Sequence, residues 1–225
     1  MTYIIHRVDN NPGDLWSSPR HYFQFPQPKL IDIFDIKALE EIPQGANCIL
    51  GGGGLIKQIF QPSFDILFRR KCKIVFWALG ERWSQDLNKG WIDEKKKKLI
   101  TPAAFNPFLH LVSMRSYEPG IEWLPCASCN HTIFDRQYPS VKNPDNIKIL
   151  EHKKVNIENP EGYPKIKNDP STIDEMVGFI AGASILITNS YHAMYWAYLL
   201  GVTTVCIPFS STHYSFCDKM IYSKL

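Results

Sequence analysis

Asn47-Cys48-Ile49-Leu50-Gly51-Gly52-Gly53-Gly54-Leu55-Ile56 decides the fold. A short apolar run ends in four consecutive glycines. An apolar series at helical spacing follows: Leu55, Ile56, Ile59, Phe60 and Phe64, with Pro62 as an expected kink. Strand, glycine loop and helix in succession form the repeating unit of a parallel sheet covered by helices. Glycines at such a loop let backbone approach a ligand with no Cβ in the way. A tight turn for close helix–strand packing is the plainer reading of the same residues. No Lys-Ser or Lys-Thr follows the glycines, and the G-x-G-x-x-G spacing fails, so neither nucleotide-binding fingerprint is present.

Outward from this stretch the pattern repeats. Tyr3 to Val8 is β-prone, Asn10-Asn11-Pro12-Gly13-Asp14 breaks it, and Asp14 is the expected cap of a helix. Leu30 to Ile36 reads as a second strand. Lys73 to Leu79 and Phe108 to Met114 read as buried strands. The turn Glu118-Pro119-Gly120 is the expected boundary between lobes at 1–120 and 121–225. Beyond it, Ile147 to Leu150 is a strand and Asn156 to Pro170 an exposed loop. Ser171 or Asp169 caps a helix carrying Ile173, Met176, Val177 and Ile180 on one side. Ser184 to Thr188 is a strand, Asn189-Ser190 opens a helix over Tyr191 to Leu200, and Gly201 closes it. Val202 to Ile207 is the last strand, ended by Pro208. The expected class is α/β, with two Rossmann-like lobes of parallel strands and an anionic small molecule bound in the cleft between them.

The chain has 225 residues, 44% apolar and 21% charged, with a formal charge of +3. That charge is too small to argue for nucleic acid or a membrane surface. Lys95 to Lys98, beside Asp93 and Glu94, reads as a solvated face. No apolar run approaches the roughly 20 residues of a membrane span. Met1 to Asn10 has neither a basic n-region nor a cleavage site, so no secretory signal is expected. Four of the six cysteines lie in or beside apolar strand-like runs, which suits a reduced, cytoplasmic protein.

Three segments place a polar loop between a strand and a helix: Asn10 to Asp14, Gly51 to Gly54, and Asn189 to His192. Ligands of open α/β sheets bind beyond the carboxyl ends of the strands, where helix N-termini favour anions. His192 stands first among the titratable groups. In the first turn after a strand its imidazole is expected to be neutral, able to take a proton from a hydroxyl or donate to an anion. A histidine satisfied by packing is the alternative. Arg7, Arg20, Arg82 and Arg115 are candidate anion clamps, with Arg115 best placed at a strand end. Cys126 and Cys129 form a single C-x-x-C with His131 nearby and no evident fourth ligand, so packing without metal is expected. Tyr191, Tyr195, Trp196 and Tyr198 make an aromatic helix, expected to be mostly core.

Taken in order, these motifs resemble the polysaccharide pyruvyl transferase family. The resemblance is carried by Asn11-Pro12-Gly13-Asp14, by Ile49 to Gly54, by Val75-Phe76-Trp77-Ala78-Leu79-Gly80 and by Ser113-Met114-Arg115-Ser116. Leu124 to Cys129 adds to it. The strongest match is Thr188-Asn189-Ser190-Tyr191-His192-Ala193, followed by an aromatic helix and Leu200-Gly201. Ser190 stands where many members carry arginine. The resemblance implies a GT-B-like pair of lobes, the second one reduced. It also implies transfer of the enolpyruvyl carbons of phosphoenolpyruvate onto two hydroxyls of a glycan or lipid-linked sugar, giving a ketal.

On that resemblance His192 and Asp14 are the expected acid–base groups. Asn11, Gly13, Gly52, Gly53, Arg115, Ser190 and Tyr191 are the expected substrate-binding residues, with Lys219 a further cation. Phosphoenolpyruvate is then a substrate, and no metal or cofactor is expected. A homo-oligomer is compatible with the sequence. A GT-B-type nucleotide-sugar glycosyltransferase and a non-catalytic anion- or sugar-binding protein are the other readings; Glu175 is the candidate to grip a ribose in the first, though a solvated helix face is the plainer reading of it.

Overall fold

The computed structural model describes residues 1–9, 11–80, 109–115, 121–138, 143–169 and 172–207. Arg82, Lys95 to Lys98, the turn at 118–120, Ser171, Pro208, Cys217 and Lys219 lie outside them. Two compact units divide the chain. One takes Met1–Val8 and Asp14–Ser128; the other takes Asp9–Gly13 and the chain from Cys129 through the last strand.

The first unit holds a six-stranded sheet: β1 (Thr2–His6), β2 (Pro28–Asp32), β3 (Asn47–Gly51), β4 (Lys73–Leu79), β5 (Leu109–Met114) and β6 (Glu122–Trp123). Every pairing is parallel, in the order β2-β1-β3-β4-β5-β6. All five residues of β1 are buried, the polar Thr2 and His6 at its ends included, as expected of a parallel strand covered on both faces. Its α-helices among the described residues are α2 (Ile36–Glu40), α3 (Gln61–Arg69) and, from Asp14 on, α1 (Pro12–Trp16). Phe64 and Leu67 of α3 join Ile5, Leu50, Ile74 and Phe76 in one apolar core. Because β2 and β3 lie on opposite sides of β1, the strand order reverses there.

The second unit holds β7 (Ile147–Glu151), β8 (Lys165–Lys167), β9 (Ile185–Thr188) and β10 (Thr203–Cys206), all parallel in the order β10-β9-β7-β8. α4 (Ile173–Ala181) buries Ile173, Met176, Val177 and Ile180, the i, i+3, i+4, i+7 stripe legible in the sequence. α5 (Tyr191–Leu200) ends at Gly201, whose φ of 73° is the left-handed C-cap that favours glycine. Here the order reverses at β7, between β8 and β9.

Several local expectations are corrected. Asp14 does not cap α1; it lies inside the first turn, and Asn11 Oδ1 accepts from Gly13 N at the helix start. Leu30 to Ile36 is not one strand, because Asp35 accepts from Ala38 N and begins α2. Pro62 does not kink a helix but opens α3, where its missing N–H has no cost. The glycine loop therefore does not run straight into a helix. Residues 156–170 are not wholly a loop, since Lys165–Lys167 pairs with β7. Asp169 does not cap α4. Thr172 does, in a reciprocal capping box with Glu175.

Thr172→Ala should therefore lower stability by about 1 kcal/mol. Asp169→Ala, which removes no cap, should stay within about 0.5 kcal/mol of the parent. Denaturant melts of the two variants check this, and equal effects would contradict the assignment of the cap.

Candidate functional site

The first unit gathers its polar groups at the carboxyl ends of β1, β3, β4 and β5. Gly52 and Gly53 adopt φ of 83° and 73°, so the loop after β3 needs glycine there. A β-carbon on Gly52 would lie 2.6 Å from the Ser17 backbone, and one on Gly53 would lie 2.9 Å from Asp14 Oδ1. Gly80 N donates to Gly53 O at 2.9 Å and Ile56 N to Gly80 O at 3.1 Å, tying the loop to the end of β4. Arg115 follows β5 and is buried. Its guanidinium fills the space that a side chain on Gly80 would take and lies 3.8 Å from where a β-carbon of Gly54 would be. Asp14, Gly52, Gly53 and Arg115 are thus brought to one edge of the first sheet. Arg7 pairs with Asp32 at 2.5 Å and stacks on Phe34, while Arg20 is exposed.

His6, at the end of β1, is fully buried. Burial, followed by repulsion from His21, lowers its imidazole from the ordinary 6.5 to about 4, against a weaker opposing pull from Asp32.

The second unit builds a denser cluster where its strand order reverses. Thr188 Oγ1 donates to Leu150 O at 2.6 Å and accepts from Ser190 N at 3.0 Å, fixing the exit of β9. Asn189 Oδ1 accepts from His152 N at 2.5 Å, and its amide donates to Val155 O at 3.0 Å. Asn168 Oδ1 accepts from Lys153 N at 2.7 Å, and its amide donates to Ser190 Oγ at 3.3 Å. Two buried asparagines from neighbouring strand ends thereby clamp the turn after β7. Ser190 occupies the N-cap position of α5, but its hydroxyl does not cap the helix. Glu151 is buried at the end of β7. Burial pushes its carboxyl up, yet Lys165 at 2.8 Å and the Ile157 N–H outweigh this and hold it below the usual carboxylate range.

His192 lies in the first turn of α5, 5% exposed. Its ring packs edge-on against Tyr191 at 5.4 Å and tilted against Trp196 at 5.8 Å. The Asp9–Gly13 segment belongs to this unit and reaches the same ring. A β-carbon on Gly13 would stand 2.2 Å from His192 Nδ1. Asn11, Gly13, Ser190, Tyr191 and His192 are thus brought together here. The nine residues singled out in the sequence accordingly fall into two clusters, one in each unit. Sequence reading passed over Asn168 and Lys165 because residues 156–170 read as an exposed loop, and with them it passed over their partners Lys153 and Glu151. It also passed over His6, hidden in a short mixed segment.

The aromatic helix is core at Tyr195 and Trp196, while Tyr191 and Tyr198 are half-buried. Cys126 is buried and accepts from Ser128 Oγ, and Cys129 accepts from Asn130. Among the described residues no group of three or more side chains is arranged to hold a metal ion, and no helix is long and apolar enough to cross a membrane.

Residues 130–211 match the family model described as polysaccharide pyruvyl transferase. The matched stretch contains Ser190, Tyr191 and His192 and leaves Asn11, Gly13, Asp14, Gly52, Gly53 and Arg115 outside it. No curated protein sequence matches the chain. The solved structure of an uncharacterised protein from Klebsiella pneumoniae is similar, with a TM-score of 0.54 and 15% identity over 99% of this chain and 89% of that one. At that identity it shows the fold alone.

Two outcomes follow from these geometries. Gly13→Ala should cost about 1–3 kcal/mol by overpacking against His192. In a His192→Ala background the same change should cost much less, so the thermal melts of the four proteins should show coupling above about 1 kcal/mol. Additive costs would place the ring elsewhere. For His6 the folded chain resists protonation that the unfolded chain accepts. Its contribution is complete above pH 6.5 and is lost as pH falls towards about 4. His6→Gln should flatten that part of the melting-temperature profile, and an unchanged profile would contradict the burial effect.

Proposed function

We propose that the chain is a pyruvyl transferase that moves the enolpyruvyl carbons of phosphoenolpyruvate onto two hydroxyls of a glycan or lipid-linked sugar. The observation that carries this reading is the placing of His192: within the family-matched stretch, at the strand-order reversal of the second unit, with Gly13 backbone against its ring. Open parallel sheets bind ligands at the carboxyl ends of the strands beside such a reversal.

The chemistry asks for an acid, a base, and donors that hold the carboxylate and phosphate while the central carbon is cationic. An acid delivers a proton to the methylene carbon of phosphoenolpyruvate, and the central carbon becomes cationic. A first sugar hydroxyl adds to that carbon and gives up its proton to a base. The phosphate then departs with its bonding electron pair, and a second hydroxyl adds to close the ketal, again losing a proton. One phosphoenolpyruvate and one diol yield one ketal and one inorganic phosphate.

His192 is the proposed proton carrier for the donor. Ser190 and Tyr191 line the same helix start and are proposed to contact the donor. Asn11 and Gly13 are proposed to bound the site through their backbone. In the first unit, Arg115 is the proposed partner for a substrate oxyanion, Asp14 the proposed base for a sugar hydroxyl, and Gly52 and Gly53 the backbone that admits substrate. Each carbon–oxygen step uses only proton transfer and anion binding, so these residue types suffice. Glu175, the candidate carboxylate for a ribose in the nucleotide-sugar reading, is engaged in the α4 capping box.

Phosphate release from phosphoenolpyruvate, with ketal formation followed by mass spectrometry across an acceptor panel, tests the reading. His192→Asn should lower turnover by about 10²–10⁴-fold, the usual contribution of a positioned acid–base group. Its melting temperature should stay close to the parent's. Undiminished turnover per folded molecule would remove His192 from the chemistry.

A further inference from the structure

We infer that Lys153 is an oxyanion-binding residue of the second unit, held ready by an ion pair with Asp9 that the bound anion displaces. The inference rests on the pyruvyl-transfer reading only in taking the phosphate or carboxylate of phosphoenolpyruvate as that anion.

Lys153 follows β7, the strand at which the order of the second sheet reverses. Its backbone is placed from both sides. Asn168 Oδ1 accepts its N–H, and Asn189 holds the preceding N–H of His152 together with the carbonyl of Val155. Two buried asparagine side chains thus hold this one turn.

The ammonium end is placed as well. Lys153 Nζ lies 3.8 Å from Asp9 Oδ2, both side chains about a quarter exposed. That is contact at the edge of ion-pairing range, in a setting where such pairs contribute little. Asp9 Oδ1 meanwhile accepts from Asn11 N at 2.9 Å, and Asn11 Oδ1 accepts from Gly13 N at 3.1 Å. Gly13 in turn lies against the His192 ring. A continuous series, Lys153, Asp9, Asn11, Gly13, His192, therefore links the ammonium to the proposed proton carrier. Asn168 adds a second link, through its hydrogen bond to Ser190 Oγ at the start of α5. A cation about a quarter exposed, with a loose carboxylate partner, can exchange that partner for a phosphate or carboxylate oxygen at small cost, and the new contact is charge-assisted.

The test uses the full chain and isothermal titration with phosphoenolpyruvate, inorganic phosphate, pyruvate and uridine monophosphate. Lys153→Met should weaken phosphoenolpyruvate binding about 10- to 100-fold, the value of a hydrogen bond to a charged group. Lys153→Arg should keep most of the affinity. Asp9→Asn should tighten binding, because it removes the competing carboxylate while its amide oxygen still accepts from Asn11 N. Parallel weakening for phosphate identifies the phosphoryl group as the partner, and parallel weakening for pyruvate identifies the carboxylate; either supports the inference. If Lys153→Met lowers only the melting temperature and leaves affinity unchanged, Lys153 is a structural partner of Asp9 and the inference fails, with pyruvyl transfer untouched. If uridine monophosphate binds and phosphoenolpyruvate does not, the pyruvyl-transfer reading fails, and the same Lys153→Met ratio measured on that nucleotide decides the inference. If none of the four binds the parent protein, both are overturned.

Discussion

Gly13 has no β-carbon, and His192 occupies the place where one would be. Much of the second unit's site depends on that close approach. It lets the Asp9–Gly13 segment lie against the start of α5, although the residues on either side of it belong to the first unit. Asp9 and Asn11 stiffen the segment by accepting backbone N–H groups at 2.9 and 3.1 Å. Any side chain at position 13 would push either the segment or the imidazole away, and with them the Asp9 carboxylate that meets Lys153.

Both sheets solve the same problem in the same way. Each is all-parallel, and each reverses its strand order beside its first strand, β1 in one and β7 in the other. At such a reversal the connections on either side leave in opposite directions, which opens room beyond the strand ends. The first unit fills that room with a glycine loop in left-handed backbone, a buried histidine and, further along the edge, a buried arginine. The second fills it with two asparagines that clamp the turn after β7, and with the start of α5. Different side chains thus furnish one geometric opportunity in the two units.

Most of the strands and the helices α4 and α5 were legible because their signals are local. The runs Lys73 to Leu79 and Ile185 to Thr188, the stripe on α4 and the closing Gly201 each state their structure within a few residues. Caps were misread where polar neighbours competed: Thr172 acts where Ser171 or Asp169 was expected, and Asn11 where Asp14 was; Asp35 opens α2 inside a run read as strand. β8 was invisible because three residues, Lys165-Ile166-Lys167, form a strand only through pairing with β7. The same non-locality hid Lys153 and Asn168, whose roles arise from hydrogen bonds between segments 15 and 22 residues apart in the chain. His192 and Gly13 were both singled out, but their contact, across nearly the whole chain, carries no sequence signal.

The central claim is that the donor of the proposed reaction binds at the carboxyl ends of β7 and β9. A crystal structure of the protein soaked with phosphoenolpyruvate tests it most directly. The account predicts the ligand beside His192, with one of its anionic groups in contact with Lys153 and the Asp9–Lys153 pair opened. Phosphoenolpyruvate bound away from these strand ends, with that pair intact, would contradict it.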